Sequence, residues 1–145
     1  MKTESAGKLQ QVLASGGFAV TAECGPPRGA DPEIIRKKGE LLKGRVDAVN
    51  VTDNQTAIVR MSSIAACAHL LAMGIEPVMQ MVTRDRNRNA LQSDLMWAYS
   101  LGIKNIICLS GDHQTFFIQP DALNENDIDT LNLVRSVLTM REQGQ

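Results

Sequence analysis

No apolar run in this 145-residue chain approaches the roughly 20 residues that a membrane-spanning helix needs. A helical membrane protein is therefore not expected. An excess of charge of one sign is also missing: 15 Lys and Arg stand against 16 Asp and Glu, for a formal net charge of -1. That balance gives neither nucleic acid nor a membrane surface an electrostatic handle, and neither partner is expected. The N-terminus, Met1-Lys-Thr-Glu-Ser, lacks the apolar core of a secretory leader, which makes the cytoplasm the expected compartment. Cysteine is sparse, and Cys24, Cys67 and Cys108 are widely spaced and odd in number. This excludes a disulfide framework and a CxxC pair, so reduced thiols are expected. Cys24, Cys108 and His113 have no short ligand spacing between them, and no metal site is expected. A GxGxxG fingerprint is absent after the first strand, where the chain reads Cys24-Gly-Pro-Pro-Arg-Gly29.

What is present is the composition of a globular protein, 43% hydrophobic and 21% charged, long enough for a single domain over residues 1–145 with one core. Leu9, Val12 and Leu13 fall on one face of a short leading helix over 4–13, closed by Gly16-Gly17. Residues 18–23 read as a strand that two prolines stop, and Asp31 is placed to cap a helix opened by Pro32 and running to about Lys43. The same unit recurs. A strand over 46–51 ends in Thr52-Asp53-Asn54-Gln55 and is followed by a helix over 58–73, stopped at Gly74. A third strand over 76–81 is followed by a helix over 89–101 and Gly102. The fourth, over 103–109, ends in Ser110-Gly111-Asp112-His113 and passes through a loop to a helix over 127–141. Trp97, Tyr99, Met61, Met73 and Met96 lie in these helices and are expected as core packing.

Strands alternating with helices pair in parallel, because each helix is a crossover that returns the chain to the same edge. The polar strand endings then gather on one rim, at the carboxyl ends where α/β folds place their sites. The densest of them is Gln80-Met-Val-Thr-Arg-Asp-Arg-Asn-Arg88. It reads either as a strand delivering chemistry to the rim, or as a strand stop in which Asp85 or Asn87 caps the next helix and the arginines are solvated. The fold class expected is α/β, four units making half of a TIM-type (β/α)8 barrel, since a closed barrel takes at least about 200 residues. Half a barrel leaves its first and fourth strands as open edges, to be covered by a second copy or second chain, by a missing second half, or by rearrangement.

Four motifs in order carry a resemblance: Val20-Thr-Ala-Glu-Cys-Gly-Pro-Pro-Arg28, Val49-Asn-Val-Thr-Asp-Asn54, Met79-Gln-Met-Val-Thr-Arg-Asp-Arg-Asn-Arg88 and Leu109-Ser-Gly-Asp112. Together they resemble the first four strand endings of the methylenetetrahydrofolate reductase family. The resemblance implies a FAD-dependent (β/α)8 barrel that reduces 5,10-methylenetetrahydrofolate to 5-methyltetrahydrofolate with electrons from NAD(P)H or another donor. It implies that Glu23 is the catalytic acid, its carboxyl partly withdrawn from water, against the plainer alternative of an ion pair with Arg28 or Arg84. Asp112 is implied near flavin and pterin, against the alternative of a Gly-Asp turn, and Gly111 would let main chain approach the flavin closely. Thr52, Gln80, Leu109 and Ser110 complete the implied cofactor contacts. Gln80 stands where some relatives carry histidine and keeps a donor and an acceptor without titrating. The resemblance assigns nothing to Arg84, Arg86 and Arg88, which could meet an anionic cofactor or folate tail or pair with Asp85 and Asp94. The loop Phe116-Phe117-Ile118 is unusually apolar and is expected to pack inward or on a partner. Two further readings stand beside the enzyme: a half barrel that holds flavin or folate without turnover, and a structural half barrel that only self-associates.

Overall fold

The computed structural model of the chain describes residues 6–113, 119 and 121–144. After α1 (Lys8–Ala14) come β1 (Thr21–Glu23), α2 (Pro32–Leu42), β2 (Ala48–Val51), α3 (Ser63–Ala72), β3 (Pro77–Val82), α4 (Arg88–Ser100), β4 (Asn105–Leu109) and α5 (Thr130–Glu142). Neighbouring strands are all parallel, in the order β1-β2-β3-β4. Sequential strands are therefore spatial neighbours, and the order never reverses as it does in a doubly wound sheet. This is the arrangement of half a (β/α)8 barrel. Among the described residues no helix is long and apolar enough to cross a membrane.

Local chemistry sets the helix starts. Asp31 accepts the Glu33 N–H at 2.9 Å while Pro32 opens α2. Asn87 caps α4 through the Ala90 N–H at 3.0 Å, and Asp129 caps α5 through the Asn132 N–H at 2.7 Å. Each such cap is worth about 1 kcal/mol. Three starts differ from the sequence pattern, that of α1 because it begins at Lys8 rather than Glu4. α3 begins at Ser63 rather than Ile58, because Asn54, Thr56 and Ala57 hold left-handed φ values of 40°, 58° and 50°, which a right-handed helix cannot include. α5 begins at Thr130 rather than Asp127, whose carboxylate is taken by Arg88.

The core lies on one face of the sheet. Val49 and Val51 of β2 and Met79 and Met81 of β3 meet Ile35, Ile64, Leu70, Leu91, Leu95 and Leu133 from the helices. Each fully buried aliphatic side chain contributes about 1.5–3 kcal/mol relative to exposure. Met61 and Met73 pack against this cluster as expected. Trp97, Tyr99 and Met96 do not: they are 55%, 57% and 49% exposed on α4, whose buried stripe is Leu91, Leu95 and Ala98. The apolar loop Phe116-Phe117-Ile118 lies outside the described residues.

α1 lies across the amino ends of the strands. Its first turn has no cap from Gly7; instead Glu76, just before β3, accepts the main-chain N–H groups of Lys8 and Leu9 and takes the Asn105 Nδ2–H at 2.8 Å. Lys8 pairs with Asp47 at 3.0 Å, and Asp47 also accepts the Val20 N–H at 2.8 Å. Polar groups therefore tie α1 to the amino ends of the sheet.

Candidate active site

Side chains alternate along a strand, so the residues between the core-facing ones stand on the face away from the helices. They are Thr21 and Glu23 on β1, Ala48 and Asn50 on β2 with Thr52 just beyond, Val78, Gln80 and Val82 on β3, and Asn105, Ile107 and Leu109 on β4. The parallel register aligns Glu23 with Asn50 and Asn50 with Val78. One step toward the carboxyl ends, Thr52 and Gln80 follow the aligned pair Val51 and Met79. Four polar side chains, Glu23, Asn50, Thr52 and Gln80, thus share two adjacent rows of one face. Among the described residues none of the four has a side-chain hydrogen bond or ion pair. The Thr52 Oγ1 is buried as well as unpartnered. An orphaned buried hydroxyl costs about 1–3 kcal/mol, which a ligand atom would recover.

Above this face the rim is built from ion pairs. Arg84 is only 2% exposed, and its guanidinium is fully used. Nε and Nη2 grip both oxygens of Asp85 at 2.6 and 2.7 Å, Nη1 donates to the Asp112 carbonyl at 2.8 Å, and Nη2 also reaches the Asn54 carbonyl at 3.3 Å. Burial pushes the Asp85 carboxyl up, but its bonds from Arg84 and Asn54 outweigh this and hold it below its usual range. Arg86 forks onto Asp53 at 2.7 and 3.2 Å and pairs with Asp94 at 2.9 Å. Asp53, 4% exposed, also accepts the Val82 N–H at 3.0 Å. Arg88 grips Asp127 at 2.9 and 3.0 Å and holds its carboxyl down at about 2. The pairing alternative therefore describes the arginines, with Asp53 and Asp127 as additional partners.

Glu23 and Asp112 stand at the same end of the sheet, as parallel pairing requires. The Glu23 carboxyl is not withdrawn from water: β1 is an edge strand, nothing described covers its open face, and the residue is exposed. Its pairing alternative is not realised either, since Arg84 binds Asp85. Asp112 is exposed and its Oδ2 accepts the Thr56 N–H at 3.0 Å. Gly111, at φ 89°, lies where an added Cβ would come within 3.2 Å of Arg84 Nη1 and Val82 Cβ, so its close approach is to the rim itself. Leu109 ends β4 beside Val82, and Ser110 Oγ shares a hydrogen bond with Thr130 Oγ1 at 2.7 Å. Cys24 and Cys108 turn toward the core, away from His113, whose Nε2 bonds with Asn124 at 2.8 Å. Asn50, the burial of Arg84 and the Asp53–Arg86 pair escaped the sequence reading. Asn50 alone was recoverable, from the alternation Ala48, Asn50, Thr52 against Val49 and Val51.

A sequence model described as methylenetetrahydrofolate reductase matches residues 8–144. The chain belongs to the methylenetetrahydrofolate reductase family. A search of curated proteins finds no match. Membership relates the chain to folate-linked oxidoreductases on a TIM-type barrel, a family that generally binds FAD. The residues present fit such a group: a buried hydroxyl at Thr52 and an amide at Gln80, both without a partner among the described residues, and the main chain of 109–112 at the rim.

Proposed function

We propose that this member of the methylenetetrahydrofolate reductase family supplies half of a FAD-dependent site that reduces 5,10-methylenetetrahydrofolate to 5-methyltetrahydrofolate, with NAD(P)H or another donor as electron source. One observation carries the proposal: within a chain of this family, Glu23, Asn50, Thr52 and Gln80 stand on the open face of the sheet without a side-chain partner among the described residues. FAD, when bound, supplies the hydride. Glu23 gives the proton to the folate ring nitrogen, which opens the five-membered ring and leaves the one-carbon unit electron-poor. A second wall closing over β1 takes this carboxyl out of water and keeps bulk water from competing for the proton. Asp112 accepts hydrogen bonds from the pterin, and its charge disfavours further negative charge on the cofactor ring. The Thr52 hydroxyl, the Gln80 amide and the main chain of Leu109, Ser110 and Gly111 would hold the cofactor.

The edges of β1 and β4 are bare among the described residues, and further strands, from a second copy or another stretch of chain, complete the barrel. On this reading the chain works in the cytoplasm. One observation favours a second reading, a module that holds flavin or folate without turnover: Glu23 is exposed in the half sheet.

The test is optical. Bound FAD gives an absorbance band, which NAD(P)H should bleach and methylenetetrahydrofolate restore. Glu23→Gln should keep the band and slow its return by roughly a hundred- to ten-thousand-fold, the usual worth of a general acid. A variant that loses the FAD would refute the acid role. A protein that binds FAD but never passes electrons to folate is the holding module.

A further inference from the structure

Arg84 is the most buried charged residue of the rim, and all three of its guanidinium nitrogens are bonded. It lies between two pieces of main chain that look irregular on their own. On one side is the turn after β2, where Asn54, Thr56 and Ala57 all hold left-handed φ values, a conformation that non-glycine residues rarely adopt. On the other is the Gly111-Asp112 turn after β4, with Gly111 at φ 89°. Arg84 Nη2 holds the Asn54 carbonyl at 3.3 Å and Nη1 holds the Asp112 carbonyl at 2.8 Å. Its own backbone is pinned as well, its N–H donating to the Ser110 carbonyl at 3.2 Å and its carbonyl accepting the Glu125 N–H at 2.8 Å.

We infer that Arg84 is a positioning residue that aims the carboxylate of Asp112. By gripping both turns at once it sets the Asp112 side chain against the left-handed turn, where Oδ2 is anchored on the Thr56 N–H at 3.0 Å. The other oxygen, Oδ1, has no partner among the described residues and is left to accept from a ligand. The inference rests on the proposed role of Asp112. Lysine cannot substitute, because an ammonium lacks the planar fork that binds Asp85 and two carbonyls together.

The test begins without ligand, so that its outcome is separate from that of the flavin proposal. Amide hydrogen exchange at Thr56 and the carboxyl carbon resonance of Asp112 are measured in the unsubstituted chain, in Arg84→Lys, and in Arg86→Lys as a control that alters the Asp53 pair instead. Arg84→Lys should speed Thr56 exchange at least about tenfold and shift the Asp112 resonance, with Met79 and Met81 in β3 unchanged. Gly111→Ala pushes the same turn off Arg84 while keeping the guanidinium and should do the same, which keeps the test open if Arg84→Lys does not fold. In an Asp112→Asn background, with the carboxylate already gone, Arg84→Lys should add little at Thr56. Folded Arg84→Lys and Gly111→Ala with unchanged Thr56 exchange would overturn the inference, as would an equal effect from Arg86→Lys. With FAD as the probe, Arg84→Lys should move the potential of the bound flavin in the same direction as Asp112→Asn. An opposite shift would also overturn the inference, whereas failure of the unsubstituted chain to take up FAD counts against the flavin proposal alone.

Discussion

Replacing Arg86 with Met keeps the alkyl stem and removes the guanidinium. Asp53, 4% exposed, then keeps one donor, the Val82 N–H at 3.0 Å, and loses two at 2.7 and 3.2 Å. Taking one partner from a buried pair costs about 3–5 kcal/mol, because the remaining charge has neither water nor a counterion. Two features place this case at the lower end. The Arg86 side chain is 17% exposed, so water can follow it out, and Asp94, at 26%, rehydrates without loss. The expected cost is about 3 kcal/mol, a large part of the roughly 5–15 kcal/mol that holds a domain together. Adding Asp53→Asn should return about 2 kcal/mol, since the amide still accepts from Val82 and no charge is left alone. Urea unfolding followed by far-UV circular dichroism reads both values from the midpoints, provided the slopes agree. A loss below about 1 kcal/mol for Arg86→Met, or a further loss when Asp53→Asn is added, would refute the reasoning.

Asp127, Asp85 and Asp47 all have carboxyls held below their ordinary range, Asp127 at about 2 by its bonds with Arg88. Such groups bind fewer protons folded than unfolded, so the stability they contribute is complete above their unfolded pKa, about 3.9, and disappears as pH falls through the folded value. Urea midpoints should drop between about pH 4 and pH 2, less steeply in Asp127→Asn, and identical slopes would count against the Arg88 pair. Burial pushes the Cys67 thiol up to about 12 and raises those of Cys24 and Cys108 as well. A disulfide reagent at pH 8 should therefore label Cys67 at least about a hundred times more slowly in the folded chain than in urea. Labelling at the unfolded rate would show that the core around Cys67 opens freely.

The strand–helix alternation was legible because each element carries its own local signal. Asp31 and Pro32 open α2, and Gly44, Gly74 and Gly102 follow α2, α3 and α4, at positions a sequence pattern can locate. Parallel pairing then brings Glu23 and Asp112 to one end by topology alone. What was not legible depends on pairs distant in sequence. Arg84 and Arg86 are alike in composition and neighbourhood, yet one grips its next residue and two carbonyls while the other reaches Asp53 across the strand gap. Nor does any local rule put left-handed turns at Thr56 and Ala57, neither of which is glycine or asparagine; tertiary bonds from Asp112 to the Thr56 N–H and from Arg84 to the Asn54 carbonyl hold the segment. The outward placement of Trp97 and Tyr99 was missed because a helix with large apolar residues on two faces does not say which face meets the sheet.

The stretch from Gln80 to Arg88 reads as one polar cluster, but the structure splits it by direction. Gln80, inside β3, points to the open face and has no partner among the described residues; Arg84 and Arg86, past the strand end, turn into the rim and are saturated. A ligand over the open face therefore meets polar groups of two kinds. Glu23, Thr52 and Gln80 are fixed by the strands that carry them or end beside them, and their spacing cannot change without moving the sheet. Asp112 lies on a turn, where its Oδ2 accepts the Thr56 N–H and its carbonyl accepts from Arg84, contacts made by side chains and main chain of the rim rather than by a strand. Changes at Thr52 or Gln80 should therefore alter how tightly a cofactor is held, whereas changes at Arg84 or Thr56 should alter how the site responds once the cofactor is bound.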